Sequence, residues 1–399
     1  MQYDIVIVGG GLVGASLALA LKEAPISIAL LEANLPKHQD PRLFALNNSS
    51  CQLLKNLEIW PQLAACASPI HQVHISNRGH FGAVRLHRED VELSSLGHVV
   101  PAKYIESALH HALKSQANLT LYQPAVLEKI TRKDDQVILN ISSSDGEKQL
   151  HSPIVIAADG TESMVRKQLN IASDATDYQQ SAIVTRTTLR RSHQQIAYER
   201  FNEKGAIAML PLPENECATI WSADNDSIAK LMLLSEEEFL QKLQKEFGYR
   251  LGKLIKIEKR HVFPLRMLKA EKIHVDGVFL LGNAAHTLHP IAAQGFNLAL
   301  YEVAAIAEGI LTKLAKHQNV SALDLQQISD NTQKQRSLSL NVSHHLAQLF
   351  SAESILISFV LQMGMLGLDI ATPIKTKFIR GIMGRLGSVP RLLLNASEL

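Results

Sequence analysis

Three glycines fall in the run Gly9-Gly10-Gly11-Leu12-Val13-Gly14, and a carboxylate, Glu32, stands eighteen residues beyond the last of them. Residues of these types at this spacing bind rather than cleave. Gly9 permits a tight turn, Gly11 lets a pyrophosphate approach the backbone, and Gly14 allows a helix to lie close on a strand. The helix N-terminus that follows offers unpaired N–H groups and a partial positive charge to phosphate oxygens. Glu32 can accept hydrogen bonds from ribose hydroxyls and would repel a 2′-phosphate. The chemistry implied is the binding of a dinucleotide, and the turn alone leaves NAD and FAD both open.

Two later stretches favour FAD. The first ends an apolar strand with Ala157-Ala158-Asp159-Gly160-Thr161, placing an Asp–Gly step where a buried strand would meet the cofactor edge. The second runs from Val278 through Asn283, His286, His289, Pro290 and Gly295 to Asn297. A polar side chain at 283 suits a ribityl chain. A helix starting near Gly295 suits the negative charge that a reduced flavin develops along one edge of its ring. No second G-x-G-x-x-G follows, so a nicotinamide donor has no dinucleotide domain of its own. The cysteines, Cys51, Cys66 and Cys217, form no CxxC pair, which removes a disulfide-reductase centre. No G-x-S-x-G elbow is present, so a hydrolase is not expected. The pairs His71/His74 and His286/His289 have H-x-x-H spacing but lack nearby Cys or carboxylate ligands, and no metal site is expected. His289, next to Pro290, reads either as a loop histidine or as a group facing the flavin.

These residues need positioning. The pattern predicts a strand at Asp4–Val8, a helix at Val13–Lys22 and a strand at Ile26–Glu32, a parallel βαβ unit. Helix is expected over residues 45–66, strands over 71–100, a helix from Ala102 to Ser115 and strands over 119–156. Residues 178–265 carry β-patterned runs and a helix near 235–247, as in an antiparallel sheet. A strand at Val278–Leu281, a helix from Gly295 to Lys316 and further helices from 330 close the chain. The fold class read from this order is α/β: a Rossmann-like FAD-binding domain on a parallel sheet, an inserted antiparallel-sheet substrate domain, and C-terminal helices. The expected boundaries are 1–75, 100–177 and 269–320 for the first, 76–99 and 178–268 for the second, and 321–399 for the third. In the sheet domain Met209, Pro211, Trp221, Phe263 and Pro264 read either as walls of an apolar pocket or as plain core.

The 399 residues are 46% hydrophobic and 20% charged, with a formal net charge of +2, which suits a globular enzyme and demands no nucleic acid. Scattered cysteines point to a reducing compartment. No signal peptide is read, and the apolar run Ile355–Leu368 falls short of the roughly 20 residues that cross a bilayer. The expectation is a cytoplasmic protein. Its tail, Ile370–Leu394, contains Lys375, Lys377, Arg380, Arg385 and Arg391 and no acid, the basic residues interleaved with Ile374, Phe378, Ile379, Met383 and Leu386. That tail reads either as a peripheral contact with the inner face of the membrane or as an ordinary packed helix.

Taken together, these stretches resemble the aromatic-hydroxylase family of FAD monooxygenases, with the para-hydroxybenzoate hydroxylase fold, over nearly the whole chain. Within it the resemblance is strongest to the ubiquinone-biosynthesis hydroxylases and their 2-polyprenyl-6-methoxyphenol hydroxylase branch. It is carried by Arg42–Leu46, Ser76–Gly82, Glu199–Phe201, Ala208–Leu212, Phe247–Lys253 and Gly282–Asn297. The resemblance implies that Gly9, Gly11, Gly14 and Glu32 hold the ADP moiety. It sets Arg42 and Lys103 by the phosphates and the Val126 backbone at the adenine. It gives Asp159 a part in pyrophosphate binding and nicotinamide docking, and the span Asn283–Pro290–Gly295–Asn297 the ribityl chain and flavin ring. His289, Pro290 and Gly295 are the residues expected beside the reaction. Three positions depart from the family pattern: Asn283 for Asp, Lys103 for Arg and Ala293 for Gly.

The activity so implied is ring hydroxylation of a polyprenylated (methoxy)phenol in ubiquinone biosynthesis, with NAD(P)H and O2 as co-substrates, through a flavin C4a-hydroperoxide. Other ubiquinone-biosynthesis proteins are the expected partners. Two alternatives stay open: an FAD reductase that inserts no oxygen, and a flavin-poor structural subunit of a quinone-synthesis assembly.

Overall fold

The computed structural model describes all residues except 36–39, 81, 203–204, 289–293, 351–354, 388, 396–397 and 399, and side chains over 342–361 lie outside the described set. The first strand, Ile5–Val8, is buried along its whole length, as its unbroken β-branched run requires of a strand covered on both faces. It pairs in parallel with Ile28–Leu31 on one side and Ile154–Ala157 on the other, with Ile5 opposite both Ile28 and Ile154. Leu119–Tyr122 extends this sheet at one edge, and Val278–Leu280 followed by His274–Val275 extends it at the other. Neighbouring strands of this sheet thus come from segments distant in sequence. The Leu12–Ala20 and Gln294–Ala315 helices pack on it, and Leu17, Leu21, Leu300 and Val303 are fully buried between them.

The second large sheet runs Gln72–Asn77, Ala83–His87, Ser173–Leu189, Ile196–Asn202, Gly205–Leu212, Glu216–Asp224 and His261–Ala270, antiparallel except where Ile196–Asn202 lies parallel to Gln72–Asn77. Gln72–Asn77 falls within the 71–100 stretch read as strands, and Ser173–Leu189 begins a few residues before the 178–265 stretch. One face is roofed by the helices Asn225–Leu233 and Glu236–Phe247, the first of which the sequence pattern did not reveal. The other face meets Met365, Ile379 and Met383 of the C-terminal helices.

Residues 45–66 differ from expectation. Leu43–Asn47 is a strand, paired with Gly97–Pro101, and helix begins only at Asn48, where the Asn47 side chain caps the Ser50 N–H. Local leucine spacing did not show this, because the strand exists through its partner fifty residues away. The tail is also more integral than a surface helix. In Thr372–Ile382, Lys375 is turned inward to Asp90 (3.2 Å), while Arg385 pairs with Glu398 (2.7 Å) and Arg391 with Glu308 (3.7 Å), so three of the five tail cations face protein carboxylates. No described helix is long and apolar enough to cross a membrane.

Candidate active site

The glycine run makes a turn that no other residue would fit. Gly9 has φ +103°, and a Cβ there would sit 2.4 Å from the Ala158 carbonyl oxygen. A Cβ on Gly14 would come within 1.9 Å of the Gly9 oxygen, so helix and turn touch through bare backbone. Gly11 is different: a Cβ there meets nothing within 4 Å. It is also the N-cap of the Leu12–Ala20 helix, with no side-chain cap and no acidic residue in the first turn. Four N–H groups at a helix start need partners, and here an anion is the partner that suits them. Glu32 follows directly on the second strand, where its Oε2 accepts the Gly10 N–H (2.9 Å) and its Oε1 the Asn34 N–H (2.8 Å). The carboxylate thus braces the turn as well as facing the space beside it.

The other segments arrive by specific links. Ala158 donates to the Val8 oxygen (2.7 Å), which seats Asp159 against the glycine turn. One Asp159 oxygen accepts from Val165 N–H (3.1 Å), while the other, Oδ1, is buried with no protein partner. Buried Arg166, which sequence reasoning passed over, ties this loop to the turn at Gly282–Ala284: it donates to the Thr161 oxygen (2.7 Å) and the Ala284 oxygen (2.8 Å). Gly282, at φ +58°, rests against Val13 of the first helix, so exposed Asn283 stands beside that helix start. Gly295 lies in the first turn of Gln294–Ala315, where a Cβ would make only ordinary contact with Leu288. Asn297 does not reach outward. Its Oδ1 accepts the Asn47 N–H and its Nδ2 donates to the Ala45 oxygen, both at 2.9 Å, which fixes the Leu43–Asn47 strand against this helix.

At the rim, the Ala102 N–H donates to the Arg42 oxygen (2.9 Å), placing Arg42 beside Lys103 in the first turn of Ala102–Leu113. The Arg42 guanidinium pairs with Asp40. Burial pushes the Asp40 carboxyl up, but hydrogen bonds and charge from Arg42 prevail and hold it below the usual range. Val126, half exposed, follows Ala125, whose N–H donates to the Glu32 oxygen (2.8 Å). His289, Pro290 and Ala293 lie outside the described residues. Met209 and Trp221 face the helical roof, fully packed with Phe239 and Ile207, so they are core. Half-buried Leu210 and Ile220 alternate with them and face the other way, toward Leu43 and Ala45.

Beneath the loop lies a network with no sequence motif. His286 Nε2 sits 2.9 Å from Glu302, and Arg336 Nε 2.7 Å from the same carboxylate; His286 and Glu302 are all but inaccessible to water. Burial raises the Glu302 pKa, but His286 and Arg336 outweigh it and bring it down to about 2. His286 is therefore anchored to the long helix through Glu302. The available signal was a lone acid on an otherwise apolar helix face, between Leu300, Val303 and Ile306.

Open backbone at Gly11, an uncapped helix start and an orphaned Asp159 oxygen fit a pyrophosphate-bearing cofactor. The FAD binding domain family matches residues 2–327. The chain belongs to that family. A ubiquinone hydroxylase, UbiL, from Rhodospirillum rubrum is 30% identical, covering 99% of this chain and 93% of its own. The 3-demethoxyubiquinol 3-hydroxylase of Escherichia coli is 29% identical over 76% of this chain and 78% of its own. Among solved structures, p-nitrophenol 4-monooxygenase PnpA from Pseudomonas putida superposes with a TM-score of 0.78 at 16% identity, covering 97% of this chain and all of that one. FAD is therefore the cofactor, and the fold is that of the FAD-dependent hydroxylases.

Two predictions follow from this geometry. Gly11→Ala should melt like the wild type yet lose FAD, whereas Gly14→Ala should be destabilised by several kcal/mol through backbone overlap, on the order of a severe overpacking. Thermal melts and bound flavin absorbance separate the two. Glu302→Gln should cost about 3–5 kcal/mol by leaving Arg336 buried without its carboxylate. Because the Glu302 pKa is depressed in the fold, its contribution is complete above about pH 4.5 and is lost as pH falls toward 2. Denaturant midpoints of wild type and variant should accordingly converge as pH drops through that window.

Proposed function

We propose that this chain is a flavin-dependent monooxygenase that hydroxylates the ring of a polyprenylated phenol on the route to ubiquinone, consuming NAD(P)H and O2. The observation that carries this reading is the match along almost the whole chain to a ubiquinone hydroxylase, supported by the open backbone at Gly11, the uncapped helix start and the orphaned Asp159 oxygen. FAD, when bound, supplies the redox chemistry: one oxygen atom of O2 enters the ring, the other leaves as water, and NAD(P)H provides the two electrons.

The chain's own residues do the rest. Gly9, Gly11 and Gly14 bring bare backbone to the pyrophosphate, and the uncapped Leu12 helix start neutralises it. Glu32 takes the adenosine ribose, with the Val126 backbone beside the adenine and Arg42 and Lys103 at the phosphates. Asp159 offers its unpartnered oxygen at the same edge. Asn283 hydrogen-bonds the ribityl chain without the charge of the Asp common in the family. The positive end of the long helix at Gly295 faces the flavin edge where negative charge collects. Leu210 and Ile220, with Leu43 and Ala45, form an apolar wall that positions a greasy ring and keeps water out. His289, beside Pro290, is the candidate to accept the phenol proton.

A polyprenyl tail partitions into lipid, so the substrate has to be met at a bilayer. The surface suited to this is narrower than the tail composition implies. Ile370 and Ile374 are largely exposed, with Met363 and Leu366 partly so, and exposed Lys377 and Arg380 flank them. Such a patch suits an anionic interface. Removing residues 370–399 would strip Ile379 and Met383 from the core, so point changes are the cleaner probe.

With 18O2, NAD(P)H and a polyprenyl-methoxyphenol, the product should gain one 18O atom by mass spectrometry. NAD(P)H consumption without labelled product would make the chain a reductase or oxidase, and purified protein unable to take up FAD would make it a structural subunit. For the membrane contact, Ile374→Ser with Lys377→Ser should weaken sedimentation with anionic liposomes by roughly tenfold or more. Flavin content should stay unchanged, and equal sedimentation of variant and wild type would remove this patch from the reading.

A further inference from the structure

The antiparallel sheet carries a charged cluster on the face opposite Leu210 and Ile220. Along Ile196–Asn202, Ala197 and Phe201 enter the apolar cluster that reaches Leu43 and Ala45 beside Asn297. Tyr198 and Arg200 point the opposite way, and Tyr198 packs edge-on against Phe247 of the roofing helix at 5.8 Å. On the neighbouring strand His74 pairs with Tyr198, ring centres 5.5 Å apart. Arg78 follows that strand, donates its backbone N–H to the Phe201 oxygen (2.8 Å), and pairs with Glu246 near the end of the roofing helix. Arg250 comes from the exposed turn after that helix.

Three segments distant in sequence thus deliver arginines to one place. They are the Ser76–Gly82, Glu199–Phe201 and Phe247–Lys253 stretches, which the cofactor site leaves unused. The charges are not balanced locally. Among the described residues, Arg78, Arg200 and Arg250 are set against one carboxylate, Glu246, an excess of two positive charges. Arg85, also close to His74, has its own partner in Asp369 (3.0 Å). Burial first, then Arg250 and Arg78, depress the Arg200 guanidinium, with Glu246 opposing. His74 is depressed by burial and then by Arg250, Arg85 and Arg200. Arg200 Nε and His74 Nδ1 are both buried without a hydrogen-bond partner. A half-buried guanidinium with an idle donor beside two like charges destabilises the empty fold, and an anion relieves all of these terms together. Gly248 keeps the approach open: at φ +90° it favours glycine, and its absent Cβ would lie 3.7 Å from Arg200 Nη1.

We propose that Arg200, Arg250 and Arg78, with His74 beneath them, form a binding site for a phosphate-class oxyanion, separate from the FAD site. Guanidinium forks converging from three segments match the many acceptor atoms of a phosphoryl group, and the excess of two charges matches its dianion. The phosphate can belong to a soluble ligand or to a lipid headgroup.

The test uses FAD-loaded protein, so that the cofactor's own pyrophosphate position is filled. Equilibrium dialysis with labelled pyrophosphate should reveal a saturable site in the wild type that is weakened roughly tenfold or more by Arg250→Ser or Arg200→Lys, the loss expected for a charge-assisted contact. NAD(P)H oxidation and flavin content should not change. Arg250 is exposed, so its variant folds even if changes at Arg200 do not. Phosphatidic acid vesicles compared with phosphatidylcholine vesicles identify the source. Arg250-dependent sedimentation with the former marks a lipid headgroup, and pyrophosphate binding without it marks a soluble ligand. Pyrophosphate binding that is absent, or equal in wild type and Arg250→Ser, overturns the proposal. So does Arg250-dependent binding of polyglutamate without pyrophosphate binding, which would make the patch a dock for an acidic protein segment.

Discussion

The contact between Gly14 and the Gly9 carbonyl is the constraint on which the rest of the structure turns. With 1.9 Å between that oxygen and a hypothetical Cβ, no side chain of any size can stand there. The approach sets how closely the first helix lies on the first strand, and hence where its uncapped N-terminus points. Ala158 and Asp159 are seated by the same turn, because Gly9 leaves room for the Ala158 oxygen, and Gly282 then rests on Val13 one residue before Gly14. A steric allowance of one methyl group thus propagates into the positions of Glu32, Asp159 and Asn283.

Holding those positions requires polar links across segments remote in sequence. Arg166 joins the Asp159 loop to the Gly282 turn through two backbone carbonyls, and Asn297 joins the long helix to the Leu43–Asn47 strand through two more. Glu302 anchors His286 from below and Arg336 from the C-terminal helices. Each of these side chains binds a partner on another element, so each link loses much of its value if the other segment shifts. The cofactor cleft is in this sense a joint between segments, and the C-terminal helices belong to it.

The antiparallel sheet separates two environments by alternation alone. Leu210 and Ile220 face the cluster that holds Leu43 and Ala45, while Met209, Trp221 and Tyr198 face the helical roof. The same period of two turns Phe201 toward the apolar interior and Arg200 toward the cationic cluster. One strand therefore serves an apolar wall and an anion-seeking surface without either disturbing the other.

The sequence by itself determined the glycine turn, its strand and helix, and Glu32, because these depend on steric and hydrogen-bonding rules acting within some thirty residues; FAD rather than NAD was legible only with the later stretches at 157–161 and 278–297. It also determined the αβ alternation and the antiparallel character of 178–265, since both are periodicities of the chain. What it left open were the facts that depend on a distant partner. The Leu43–Asn47 strand exists through Gly97–Pro101, and its leucines look helical without it. The Asn297 amide reaches across to the backbone of that strand, a contact no local pattern signals. Lys375 and Arg385 were read with the surface cations until Asp90 and Glu398 drew them inward. Whether Met209 or Leu210 faces the cofactor was undecidable from composition, because a one-residue change of register exchanges the two faces. Only the tertiary structure decides such questions, since a buried polar group or a strand face takes its role from what is brought against it.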